Sequence, residues 1–516
     1  MLIFNNYYIL YFKNFIFLPE IFLSISILIL ILYKVFFVEK LSQSYTYLFL
    51  LYSIFCILIT IFLVIGTDYS TFYYDYFYIN YKIVFIQITI LLISLFCLLL
   101  FYKSLIKSRT NCLSYFIFYL FTLLVCLITI TVNPTKVVFL FLLLELVTLC
   151  FYILSSFNFN NFGFLVFRFI PWRRLLYVSA LASFIGLFFF KGHLYLNILN
   201  LNNVSNCYLS YIFILKKQEY ILIFGIILVT ISLLLKIVVF HSPTSFIYYK
   251  KTPLITIIYM HLVPKIFFFF FFSELVFSNS YFISHGKYIH LVVLCASLVC
   301  LIISIGMRRL FLKHFLEYLS LVNSGYLLLC FTPLHFNSLI FCIYFLWFYT
   351  LIIFTYGGIC LFFDDKNYPG RRVSFDTILI DIGKKDHYSI IILILIFFIF
   401  GMPPTRKDYP SSRGIPFSGF IPQLLLFQSL LFGKMYLILF FLILFNLISF
   451  SFSFWTIVPF YQENYKNNFF VVLPKYFNPL LNEFLIVCLF FFLLFFVVLQ
   501  SDSILVFKNY IQTFYS

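Results

Sequence analysis

The chain is a succession of apolar runs of about twenty residues, each bounded by Lys, Arg, Asn or turn residues. About 20 apolar residues are what one α-helix needs to cross a bilayer. Of the 516 residues 64% are hydrophobic and only 10% are charged, against roughly a quarter charged in an ordinary soluble domain. No water-soluble fold hides so much apolar surface, and a disordered chain lacks it. The expected fold class is an all-α polytopic membrane protein.

The runs place fourteen transmembrane helices, at 15–38, 46–66, 83–102, 113–132, 135–156, 174–190, 219–240, 253–277, 289–306, 312–332, 336–362, a broken element at 389–433, 435–457 and 481–500. The net charge of +17 would point to nucleic acid in a soluble protein. Here Lys and Arg sit between the apolar runs, so the excess reads as topology and nucleic acid is not an expected partner. Loops leading from odd to even spans carry twenty Lys and Arg, from Lys34 and Lys40 to Lys466 and Lys475. The opposite loops and both ends carry nine, among them Lys13, Lys82, Lys136 and Lys434. The richer set belongs on the side of synthesis.

The 12 cysteines form no C-x-x-C pair and lie mostly in apolar runs, which reads as buried thiols. With 79 Phe and 41 Tyr beside abundant Ile, Leu, Asn and Lys, the composition follows A/T-rich codons, and an AT-rich organellar genome is expected. The stretch MLIFNNYYILYFKNFIFL has no Arg/Ser-rich amphipathic character. Synthesis inside the organelle is expected; in a mitochondrion that puts the basic loops in the matrix and both termini in the intermembrane space.

Two spans are interrupted. The seventh ends in Phe240-His241-Ser242-Pro243, and the twelfth contains Gly401-Met402-Pro403-Pro404 and later Gly414-Ile415-Pro416-Phe417-Ser418-Gly419-Phe420. Proline removes a backbone donor, and non-helical backbone at membrane depth survives only inside protein or along a hydrated cavity. Paired broken helices, one in each half of a chain, point to an ion path.

Glu145, Lys236 and Lys265 fall well inside spans. Each costs about 2.5–3.5 kcal/mol at a helix centre. That favours a relay over chance retention, although a snorkelling lysine or a Glu–Lys pair that pins two helices is the plain alternative. A lysine whose carboxylate partner approaches and withdraws loads and releases a proton; Glu145 is the candidate modulator and Lys236 the candidate carrier. His261 precedes Lys265 by one turn on the same face and is a further candidate. Glu317 and His314 lie near the end of a span, and Asp68 and Asp75 in an external loop. No Gly-rich phosphate loop, nucleophile elbow, metal-ligand cluster or haem-type His pair occurs, so this chain is expected to bind no cofactor or metal.

These residues carry a resemblance. LLLELVTLCFYILSSF around Glu145 resembles the fifth helix of the family of chain 2 of mitochondrial NADH:ubiquinone oxidoreductase (respiratory complex I), an antiporter-like subunit. RLLYVSALASFIGL (174–187) is similar to its sixth helix. LLLKIVVFH and KKTPLITIIYMHLVPKI resemble its helices seven and eight, KHFLEYLSLVNSGYLLL its tenth, and Gly401–Pro404 with Gly419-Phe420 its twelfth. The resemblance covers roughly residues 113–455.

It implies an antiporter-like fold of two inverted five-helix repeats with broken helices 7 and 12. The division would be an N-terminal three-helix segment (1–112), a first repeat (113–287), a second repeat (288–457) and a C-terminal loop with helix 14 (458–516). The implied proton path runs through Glu145, Lys236 and Lys265, driven by electron transfer in distant subunits. NADH, FMN, iron–sulfur clusters and ubiquinone would belong to the wider complex. Implied partners are other membrane-arm subunits, notably chain 4 and the small chains 4L and 6, with accessory subunits and lipids such as cardiolipin, in the mitochondrial inner membrane.

The chain departs from the family in three places. Gln423 stands where the family has its exit Lys, which leaves Lys434 as a weak substitute. The polar stretch TRKDYPSSRGI (405–415) is inserted in the break of span twelve. His241 follows Lys236 by five residues where the family has seven. Three functional readings follow: a proton-translocating subunit of complex I, a structural subunit whose channel Gln423 has closed, or a free-standing cation/proton antiporter.

Overall fold

Helices dominate because lipid offers the backbone no partner, so every N–H and C=O is satisfied within its own segment. A computed structural model describes residues 17–36, 43–67, 70–72, 77–107, 112–132, 137–156, 254–278, 297, 322–330, 336–366 and 420–447. The chain divides into two units, Met1–Val292 and Val293–Ser516.

In the first unit the described elements are α1 (Leu18–Phe36), α2 (Gln43–Ile65), a hairpin of β1 (Ser70–Phe72) and β2 (Phe77–Ile79), α3 (Tyr81–Lys107), α4 (Cys112–Thr131), α5 (Val137–Ser156) and α6 (Leu254–Ser278). α1 carries Pro19 and Glu20 in its first turn and Lys34 in its last, the order that the helix dipole and the missing proline N–H favour. Asn80 precedes α3 and its carbonyl takes the first helical bond, from Val84 N at 3.1 Å. α2 stops at Gly66, whose N–H reaches Leu63 O at 3.2 Å.

Leu23, Ser26, Ile27 and Leu30 form the buried stripe of α1, while Ile21, Ile25, Leu28, Ile29 and Leu32 are exposed on its other faces. A helix apolar all round suits lipid, not water. Among the described residues four helices are long and apolar enough to cross a membrane: Leu18–Phe36, Tyr47–Ile65, Tyr81–Leu100 and Leu113–Thr131. α3 packs on α2 and α6, α4 on α5 and α1, and α5 on α6. The spans at 15–38, 46–66, 83–102, 113–132, 135–156, 253–277 and 336–362 coincide with described helices to within a few residues.

Polar groups inside these helices turn back on their own backbone. Ser26 donates to Leu23 O at 2.7 Å, Thr60 to Ile57 O at 2.8 Å and Thr129 to Cys126 O at 2.8 Å. Such i−3 bonds satisfy a hydroxyl where no water reaches. Tyrosines instead tie helices together. Tyr119 donates to Ser94 O at 2.7 Å, and Thr122 Oγ1 and Tyr259 Oη lie 2.8 Å apart. Cys56, Cys97, Cys126 and Cys150 are buried free thiols.

The segment expected as an external loop between the second and third spans holds the hairpin instead. Its strands pair antiparallel, Ser70 with Ile79 and Phe72 with Phe77, and Phe77 also bridges Val132 just beyond α4. The all-α expectation thus omits one small sheet. Aromatic, β-prone Phe72, Phe77 and Tyr78 suit its strands, and strands of three residues leave little signal among uniformly apolar neighbours.

In the second unit α7 (Phe336–Lys366) packs on α8 (Phe420–Phe432), and α9 (Tyr436–Leu447) follows. A further helical stretch at 322–330 meets α7 and α9 through Tyr326, whose ring lies 5.8 Å from Phe345 and 6.3 Å from Phe445. Tyr326 also donates to Asn446 Oδ1. The spans at 174–190, 219–240, 289–306 and 481–500, most of 389–433, the Pro243 and Gly401–Pro404 breaks, the 405–415 insertion and His241 lie outside the described residues, as does Lys236.

Candidate functional site

Lys265 and His261 occupy one face of α6, a turn apart. Lys265 is 4% exposed and His261 1%. Burial of an amine this complete is rare unless the group is partnered or used. Pro264 lies inside α6, immediately before Lys265. It cannot donate to the carbonyl of Met260, so one backbone acceptor is released within a turn of both side chains.

Glu145 lies in α5 at intermediate burial. Thr148 Oγ1 donates to Glu145 O at 2.7 Å and reaches Glu145 Oε2 at 3.4 Å. The stripe Leu142, Leu146, Leu149 and Ile153 on α5 is exposed, while Val147, Cys150, Phe151 and Leu154 are buried. Glu145 borders the exposed stripe. α5 and α6 are in contact, and Phe151 meets Tyr259 with ring centroids 6.0 Å apart. The two helices that carry Glu145 and Lys265 are therefore neighbours, and a cluster of Tyr115, Tyr119, Tyr259 and Phe151 packs beside them.

Gln423 is half-buried in the first turn of α8. Lys434 is exposed at the turn that joins α8 to α9. Lys434 N bonds Leu431 O and Met435 N bonds Leu430 O, both at 3.0 Å, and Lys434 has a φ of 55°. That pairing is a Schellman C-cap with Lys in the left-handed position usually given to Gly. These two residues belong to the second unit and the α5–α6 pair to the first.

One intramembrane carboxyl was absent from the expected set. Glu20 of α1 is 6% exposed and takes a hydrogen bond at 3.4 Å from Gln87 of α3, itself 2% exposed. Its position at the start of a span makes it read as a boundary charge; a tally of every Asp and Glu within the spans would have raised it. Among the described residues no group of three or more His, Cys, Asp and Glu gathers as a metal site would.

Solved structures of membrane complexes share this architecture. A chain of respiratory complex I from Thermus thermophilus with bound aureothin superposes with a TM-score of 0.62 at 14% identity, covering 94% of this chain and 98% of that one. A chain of the membrane-bound sulfane sulfur reductase, an archaeal respiratory membrane complex, gives a TM-score of 0.68 at 11% identity and 97% of both chains. A chain of the Mrp complex from Dietzia sp. DQ12-45-1b gives 0.57 at 13% identity, over 86% of this chain and 79% of that one. This chain has their fold. No protein-family model matches it, and no curated protein matches it by sequence. The likeness is one of backbone arrangement.

Proposed function

We propose that this chain is an antiporter-like membrane-arm subunit of a respiratory NADH:ubiquinone oxidoreductase, moving protons across the mitochondrial inner membrane. The observation that carries this reading is the length of the structural match: nearly the whole chain, and nearly the whole of a complex I chain, align together. The order of the sequence motifs around Glu145, Lys236 and Lys265 supports it independently. The chain holds no redox centre in this reading; NADH and ubiquinone react elsewhere in the assembly, and chains 4, 4L and 6 are its neighbours.

The alternation of spans sets α5 and α6 antiparallel. Glu145 precedes Phe151 by six residues and Lys265 follows Tyr259 by six, so each stands about 9 Å to the same side of the ring contact at 1.5 Å per residue. A carboxylate and an amine at one depth on adjacent helices suit a relay. A proton on Lys265 is favoured while Glu145 is ionised and released when that charge is neutralised. Lys236 is the other candidate carrier of this relay, and His261 and the released carbonyl of Met260 hold water along the face.

Purification tests the assignment first. The chain should travel with NADH dehydrogenase activity in a large membrane complex; migration alone or as a homodimer selects the free antiporter. Within the complex, Lys265→Met should lower proton pumping per NADH oxidised by at least severalfold while the complex still assembles. Unchanged pumping selects the structural subunit with a closed channel, the reading that Gln423 favours because an amide there carries no proton.

A further inference from the structure

Glu20 belongs to no part of that relay. It stands in the first turn of α1, and α1 is flanked by α2 and α4. Gln87 Nε2 donates to its Oε1 at 3.4 Å, a long bond, and its Oε2 is buried with no hydrogen-bond partner. α2 brings Tyr52 and Cys56 against α1 at Ser26, both neutral near physiological pH by their ordinary chemistry, and Lys82 in the first turn of α3 has interactions of its own. Among the described residues no Lys, Arg or His acts on Glu20.

The site lies under one end of the bundle. α1 and α3 begin there, α2 and α4 end there, and β2 packs on α3 and α4 at that end. Phe17, just before α1, meets Phe77 of the hairpin edge-on at 5.0 Å, and Phe77 bridges Val132 beyond α4. Glu20 and Gln87 therefore sit one to two turns beneath an aromatic cover.

The energetics decide the state of the carboxyl. An ionised carboxylate buried without a cation carries a large desolvation penalty. The start of the α1 dipole and the backbone N–H of Glu20 offset part of it, and a neutral amide at 3.4 Å adds little more. Neutralisation is the remaining route.

We propose that Glu20 and Gln87 form a buried proton-binding site at the hairpin end of the first unit, exchanging its proton with water beyond the aromatic cover. Loading breaks one O–H bond of hydronium, forms one on Oε2 and leaves a water; release reverses it. Gln87 holds the carboxyl in place by donating to the oxygen that stays unprotonated. The proposal stands apart from the Glu145–Lys265 relay and does not depend on it.

Infrared spectroscopy of the full chain in its membrane complex, in H2O and in D2O near neutral pH, tests it. The wild type should show a protonated-carboxyl C=O band worth one group per chain, lowered in frequency by D2O and missing in Glu20→Gln. In Gln87→Leu the same band should move to higher frequency, because its hydrogen bond is gone; this arm carries the test if Glu20→Gln fails to assemble. A wild-type spectrum equal to that of Glu20→Gln in the acid region overturns the proposal, since Glu20 is then ionised. So does a band that ignores D2O, a band that ignores Gln87→Leu, or one that disappears on adding sodium ions, which would mark a cation site.

Discussion

Lys434 shows how a single position reconciles charge and backbone. Its left-handed φ of 55° closes the C-cap of α8, a conformation that costs an ordinary residue about 1 kcal/mol and glycine nothing. Lys434→Gly should therefore raise the stability of the second unit by about 1 kcal/mol, seen as a higher midpoint in thermal unfolding of the solubilised complex; if Lys434 also serves proton release, the same variant lowers pumping. A second residue-scale test concerns Thr122 and Tyr259, 2.8 Å apart between α4 and α6. A double-mutant cycle of Thr122→Val and Tyr259→Phe should return a coupling of about 0.6–1.7 kcal/mol, the range of interhelical bonds in membranes. A coupling near zero would mean that packing of the two rings, not the bond, joins these helices.

At the scale of elements, α1 and α6 make opposite use of similar composition. α6 is buried along almost its whole described length, from Ile255 to Phe267. α1 turns Ile25 and Leu28 outward, 53% and 55% exposed. Leu28→Arg should hinder membrane insertion by about 2.5–3.5 kcal/mol, read in a translocation assay as a fall in the integrated fraction, with Ile25→Leu as the neutral control. The hairpin is the element that sequence reading lost. Its residues 70–79 are mostly aromatic in a chain where aromatics are everywhere, so their pairing had no contrast to stand against. Pro264 had the opposite fate: α6 runs unbroken through it, because the neighbouring helices hold the segment straight enough to keep its remaining bonds.

At the scale of the whole molecule, topology is the property most open to test. The charge asymmetry puts the loop between the second and third spans on the side away from synthesis. A cysteine introduced as Thr71→Cys in β1 should react with a membrane-impermeant thiol reagent added from the side opposite synthesis and not from the side of synthesis. Labelling from the side of synthesis would invert every span.

The sequence alone determined that the chain is built of membrane-spanning apolar helices and where the described ones run, because membrane insertion is decided segment by segment from hydrophobicity and flanking charge. Lys265 and His261 were legible for the same reason: a charge inside an apolar run stands out against its neighbours. Only the tertiary structure decided which helices meet, that the helices of Glu145 and Lys265 are neighbours, that Lys434 closes a cap, and that Glu20 is buried against Gln87. Those facts depend on contacts between residues far apart in the chain, such as the 67 positions from Glu20 to Gln87. In lipid every helix face is apolar, so hydrophobic periodicity no longer tells the face that packs from the face that meets lipid.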